Sequence, residues 1–343
     1  MIHRFKNKIN ETEIPSLFTY PYCYSPHILT QKAASEVIDY IQTTASIQKA
    51  LTEGKMFGVL VVKDNNDSLG YIAAFSGQLG GNDTHNFFVP PIFDYLAPNG
   101  YFKKEEKAIS DINKQIDSLL NSQEFISARE SLSEFTKVAL QLISDAKKKY
   151  AINKSKRALL RQNQLSSQDE ATLIKQSQFE KAEIKRLEKR LNDSIVAQQS
   201  KIDDMLSVVE SLKSERKRRS ADLQYWLFEQ FVVYNSKNVS MTLNQIFKHA
   251  LDKYPPAGAG ECAAPKMLQY AYLNNLKPIC MGEFWWGPSP ENEVRHQGFF
   301  YPSCHNKCEP ILNFMLQGLN VEPNPLLFDK KLSLNVIYED DSI

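Results

Sequence analysis

Between Lys103 and Tyr234 the chain contains neither proline nor glycine, and Glu, Lys, Gln, Arg, Ser and Leu dominate its composition. No ordinary α/β or all-β domain tolerates such a stretch without turn residues, so this run predicts long helices and divides the rest of the sequence into two flanking parts. Two interruptions are expected. Asn121-Ser122 reads as a local restart, and Asn163–Glu170 carries Ser167 and Glu170 at capping-box spacing. The second interruption splits the run nearly in half. Beyond it Ile184, Leu187, Leu191, Ile195, Ile202, Met205, Val209 and Leu212 recur at intervals of three, four or seven. Before it Ile112, Ile116, Leu119, Phe125, Leu132, Phe135, Ala139, Leu142 and Ile143 supply a matching stripe. Two stripes about one central break predict an antiparallel coiled-coil hairpin, with arms of about 45 residues reaching roughly 65 Å. A parallel coiled coil joining two chains as a homodimer is the competing arrangement.

The flanks differ in character. Met56–Val62 and Leu69–Phe75, joined through Asp64-Asn65-Asn66-Asp67, read as a β-hairpin with a turn-forming tip. A helix is expected from Thr30 with Ala34, Val37, Ile38, Ile41 and Ile47 on its apolar face. The prolines of the Ile14–Tyr24 segment argue against helix there. Asn235–Asn238 reads as a linker, followed by a short helix over Thr242–Leu251. With 42% apolar and 11% aromatic residues the chain can bury a sizeable core.

Charge is unevenly spread. The formal net charge is +1, yet residues 103–222 carry 25 Lys and Arg against 19 Asp and Glu, a net of +6, which leaves −5 for the flanks. The basic residues cluster at Lys147-Lys148-Lys149, at Lys154 with Lys156-Arg157, at Lys185-Arg186 with Lys189-Arg190, and at Arg216-Lys217-Arg218-Arg219. Such clusters can grip a phosphate backbone without reading its sequence, although a solvated helix face would look the same. Met1–Lys8 has charge but no apolar segment behind it, and no apolar run approaches the ~18 residues a membrane span needs. A cytoplasmic protein without a membrane partner is expected, in which clustered cysteines bind metal or do chemistry more often than they form disulfides.

Four of the five cysteines lie between Pro255 and Leu319. A Pro/Gly-rich approach, Pro255–Gly260, delivers Cys262 to the start of a helical pattern through Met267, Leu268 and Tyr272. Cys304 and Cys308 stand in the same way before Ile311, Leu312, Met315 and Leu316. A helix N-terminus lowers a thiol pKa and favours the thiolate that a metal requires. Zinc wants tetrahedral N/S ligands. Cys262, Cys304 and Cys308 supply three, and His305, His296 or Cys280 offer a fourth. A structural cluster of small buried thiols and a redox or nucleophilic site are the alternatives.

Other residues of this block have a bland reading and a sharp one. Glu283, in Glu283-Phe284-Trp285-Trp286-Gly287, is either an acid/base group or a satisfied buried carboxylate. Trp285 and Trp286 face opposite sides of any strand, so at least one belongs to the core. His3, His27, His85 and His249 form no constellation, and there is no Ser-His-Asp order, Walker loop or Rossmann fingerprint.

The segments PPAGAGECAAPKMLQYAYLNNLKP, EFWWG, FYPSCHNKCEPIL and VIYEDDSI resemble the long N-terminal extension of a bacterial, chiefly Bacteroidetes, group of RluA-type pseudouridine synthases. The resemblance covers residues from about 100 to 343 and the first hundred more loosely. It implies that Val336–Ile343 leads toward a catalytic domain with a Lys-Pro-x-Gly strand and an Arg-Leu-Asp motif, neither of which is present. The parent enzyme would isomerise uridine in tRNA or rRNA, with this region as a non-catalytic, RNA-contacting accessory. A second resemblance is to the cytidine-deaminase-like fold, in the order hairpin, helix at Cys262, strand Lys277–Trp286, helix at Cys304/Cys308. It implies zinc at those thiols. In that fold a Glu two residues after the first ligand shuttles protons. Here Ala264 occupies that place and C-x-x-x-C replaces C-x-x-C, so deamination is not expected.

The expected architecture is therefore an α+β or α/β body, deaminase-like in one reading, built from residues 1–102 and 223–328. The coiled-coil arm 103–222 is inserted between these parts, and residues 329–343 begin a further domain. The expected function is RNA interaction for a pseudouridine synthase. A zinc-binding deaminase-like module and a coiled-coil dimerisation module are the alternatives.

Overall fold

The computed structural model describes residues 1–51, 53–163, 165–290 and 293–327, with only the backbone of Glu11. Residues 329–343, expected to begin a further domain, lie outside them. The protein has mixed α and β structure and divides into two compact units, one comprising Met1–Lys103 and the chain from Asp222 onward, the other Lys104–Ala221. Among the described residues no helix is long and apolar enough to cross a membrane.

In the first unit, helices α1 (Ile28–Thr43) and α2 (Ala45–Ala50) precede strands β1 (Lys55–Lys63) and β2 (Leu69–Phe75). The His27 ring caps α1 by accepting a hydrogen bond from Leu29 N, a role its sequence context did not suggest. β1 is central, antiparallel to β2 on one side and on the other to β5 (Lys277–Trp286), whose outer edge carries the short β6 (Phe300–Tyr301). A central strand covered on both faces buries every side chain, hence the unbroken apolar run Phe57–Val62. Phe57, Val59 and Val61 meet the α1 side. Leu60 and Val62 meet α6 (Leu243–Leu251), α7 (Ala263–Leu273) and α8 (Glu309–Met315) on the other.

The segment Asn235–Asn238 is not a linker. It is the tip of a small hairpin between β3 (Val232–Tyr234) and β4 (Ser240–Thr242), with Asn238 at φ 60°. Thr242 and Gln245 then form a capping box for α6. Trp285 is buried and donates its indole N–H to Gly287 O and Pro288 O, while Trp286 packs on the α1 side.

Gly58 of β1 faces α7. A Cβ there would come within 2.6 Å of Met267 Cε and 2.9 Å of Ala263 Cβ. Gly58→Ala is expected to destabilise the protein by about 1–3 kcal/mol through overpacking, measured by chemical denaturation. Unchanged stability would show that α7 can shift freely.

The second unit contains most of α3 (Tyr101–Leu120), α4 (Gln123–Leu160) and most of the 64-residue α5 (Ser167–Gln230). Both breaks occur where the sequence placed them. Ser122 caps α4 by accepting from Phe125 N. At the second break Ser166, one residue earlier than expected, accepts from Asp169 N. Polar pairs link the segments in a descending order: Glu105–Arg219, Asn113–Arg216, Lys147–Glu188, Arg157–Glu180 and Arg161–Glu170. As numbers rise along α3 and α4 they fall along α5, so the partners run antiparallel. Ile116, Phe125 and Ala139 are buried, as are Leu191, Ile202 and Val209. Leu119 and Leu142 are exposed instead of lying in the stripe. At both places the apolar stripe advances by four residues, through Leu120 after Ile116 and Ile143 after Ala139.

Candidate metal centre

The approach to Cys262 depends on two glycines with left-handed backbone, Gly258 at φ 74° and Gly260 at φ 85°. A Cβ on Gly260 would meet Phe231 Cδ1 at 2.8 Å and Leu243 Cδ1 at 2.9 Å, so only glycine lets this loop close over the core. The loop ends with Cys262 as the N-cap residue of α7. From the other side a turn carries Cys304 into Cys308, the N-cap residue of α8.

The sulfurs of Cys262, Cys304 and Cys308 all lie within 4.8 Å of one another, with Cys304 Sγ and Cys308 Sγ 3.3 Å apart. Tetrahedral thiolates at about 2.3 Å from zinc stand roughly 3.8 Å from each other, so the cluster has the dimensions of a zinc site. Cys304 is exposed, Cys262 half-buried and Cys308 buried. Hydrogen bonding with the Cys262 and Cys308 sulfurs holds the Cys304 thiol well below the ordinary range, helped by the Lys307 and Cys308 backbone. Its two neighbours are pushed up correspondingly.

The expected fourth ligands are placed elsewhere. His305 pairs with Glu309 at 2.9 Å and stacks on Tyr22. Cys280 belongs to the α1 side of the sheet, where it accepts from Thr30 Oγ1 at 3.3 Å and burial raises its pKa to about 11. The His296 ring lies beside Phe299. Among the described residues no other His, Cys or carboxylate ligand atom joins the three sulfurs.

Two further polar groups lie close by. Glu283 is 4% exposed; its Oε1 accepts from Ala264 N at 3.2 Å and its Oε2 from Ser303 Oγ at 2.6 Å. Burial pushes its carboxyl up. Lys266, one turn beyond Cys262, donates to Phe75 O and Gly77 O, and burial lowers its ammonium to about 8. Sequence singled out Glu283 but not Lys266, whose place among Ala264, Met267 and Leu268 on a helix gave no sign that it would be buried.

The basic residues named from sequence divide into three groups, with Arg157 apart from them. Lys149, Lys154, Lys156, Lys185, Lys189, Arg190 and Lys217 are exposed. Lys147, Lys148, Arg186 and Arg218 are also exposed but pair with Glu188, Asp145, Glu183 and Glu215 respectively. Arg216 and Arg219 are half-buried, the first bonded to Asn113 and the second to Glu105 and Glu215. Arg218 and Arg219 together hold the Glu215 carboxyl down at about 2. Arg157 corrects the sequence reading: it is 5% exposed, bonded to Glu180 at 2.8 Å and set over the Tyr150 ring, so it faces the neighbouring helix.

No protein-family model, curated protein or solved structure matches the chain.

Proposed function

We propose that the protein is a zinc-holding accessory module that engages structured RNA, tRNA or rRNA, on behalf of an RluA-type pseudouridine synthase. The observation that carries the RNA reading is the exposed set Lys149, Lys154, Lys156, Lys185, Lys189 and Arg190, on two helices that run antiparallel. In this reading α3 and α4 pair with α5 as an antiparallel coiled-coil hairpin. The pairs from Glu105–Arg219 to Arg161–Glu170 support an intramolecular arrangement over a homodimer. Basic side chains that grip phosphates in this way fix a nucleic acid in place without sequence readout. Binding of a tRNA or rRNA fragment is expected to weaken steeply with salt, and Lys154→Glu with Lys156→Glu to flatten that slope by about one for each phosphate no longer neutralised. Salt-independent binding, or none, would overturn this reading.

A second reading concerns the body. The order β1–β2 hairpin, Cys262 at the start of α7, β5, and Cys308 at the start of α8 supports a deaminase-like scaffold. Cys262, Cys304 and Cys308 would hold a zinc ion, and three protein ligands leave a fourth position to a ligand from solution. Zinc so held supplies Lewis acidity. Ala264 brings no acid to the place where deaminases carry one, so deamination is not part of this proposal.

A further inference from the structure

Strand β5 is apolar and buried along most of its length, except at one place. Ile279, Cys280, Met281, Phe284 and Trp285 are all buried, and among them stands the carboxyl side chain of Glu283. Its position follows from the sheet register. Glu283 pairs with Gly58 on β1 and with Tyr301 on β6. Because Gly58 has no side chain, the first turn of α7 approaches the sheet closely at this point, with Ala263 and Met267 directly above. That approach sets Ala264 N against Glu283 Oε1. On the opposite side the chain leaving β6 brings Ser303 Oγ to Oε2.

The two donors belong to the two segments that carry the thiols. Ala264 follows Cys262 by two residues, and Ser303 immediately precedes Cys304. Ser303 is itself 3% exposed, and its backbone N–H donates to Pro21 O, which fixes the main chain at this point. One buried carboxyl therefore bridges segments about forty residues apart in sequence. We propose that Glu283 is the positioning residue of the metal centre: by holding Ala264 and Ser303 it fixes where Cys262 and Cys304 converge, and so sets how tightly and in what geometry the metal is bound. This rests on the zinc reading given above. Glu283 contributes from a strand what second-sphere carboxylates contribute elsewhere, the orientation of ligands they do not replace.

The full chain is titrated with Co(II) and Zn(II) against a competing chelator, following the thiolate-to-cobalt and d–d absorption. Circular dichroism and thermal unfolding are recorded in EDTA. Ser303→Ala removes one of the two bonds with little change of volume and is expected to weaken metal binding about 10- to 100-fold. It should also shift the cobalt spectrum, while metal-free stability stays close to that of the parent. Ser303→Thr, which keeps the hydroxyl, is expected to restore both. Glu283→Gln, which keeps one acceptor, should fall between. Parent-like affinity and spectrum in Ser303→Ala would overturn the proposal. So would weakened binding matched by an equal loss of metal-free stability, or binding that Ser303→Thr does not rescue. A parent chain that takes up no metal would overturn the zinc reading and this inference with it, whereas a loaded parent with indifferent variants overturns this inference alone.

Discussion

Glu180→Ala is expected to destabilise the helical unit by about 3 kcal/mol, near the lower end of what breaking a buried ion pair costs, because Glu180 keeps 27% of its side chain exposed. The cost arises on the partner. Arg157 is buried, and its Nη2 already lacks a hydrogen bond among the described residues. Without Glu180 the guanidinium retains, among the described residues, the face of Tyr150. Asn153 loses an acceptor by the same change. Arg157→Met combined with Glu180→Met should return stability to within about 1 kcal/mol of the parent, since apolar side chains of similar length leave no charge to solvate. Denaturant unfolding followed by far-UV circular dichroism distinguishes these outcomes. A single variant as stable as the parent would show that water reaches Arg157.

The second large effect is on metal content. Protein purified without added zinc is expected to carry about one zinc per chain, and Cys262→Ser, Cys304→Ser and Cys308→Ser each to lose it, since three thiolates are the fewest that hold zinc firmly. Cys280→Ser is the control, because that thiol faces Thr30 and His27 across the sheet. Removing the metal with a chelator should lower the melting temperature of the parent and leave that of Cys308→Ser unchanged. Elemental analysis decides the matter: zinc-free parent protein, or serine variants that retain the parent's zinc, would remove the metal from the account of this fold.

What could be read from the chain alone follows the range of the interactions involved. The hairpin Lys55–Phe75, the start of α7 at Cys262 and both helix breaks depend on turn residues, caps and periodicity within a few residues, and all were legible. The cap of α5 fell one residue away, at Ser166, because two adjacent serines each precede an acidic residue by three. The small β3–β4 hairpin was missed. Its strands are only three residues long and carry too little periodic signal.

The candidate site was legible as an inventory of residues and not as a constellation. Sequence alone determined that Cys262 and Cys308 would begin helices, since the glycines and prolines before Cys262 and the apolar spacing after both are local instructions. It also determined the basic character of the long helices. Only the tertiary structure decided that His305 turns to Glu309, that Cys280 faces α1, that Arg157 points to the neighbouring helix, and that Glu283 joins Ala264 to Ser303. The physical reason is the same in each case. Periodicity fixes the face of an element on which a side chain lies, but the neighbour that face meets is set by sheet register and helix packing, through close approaches such as the one that Gly58 permits.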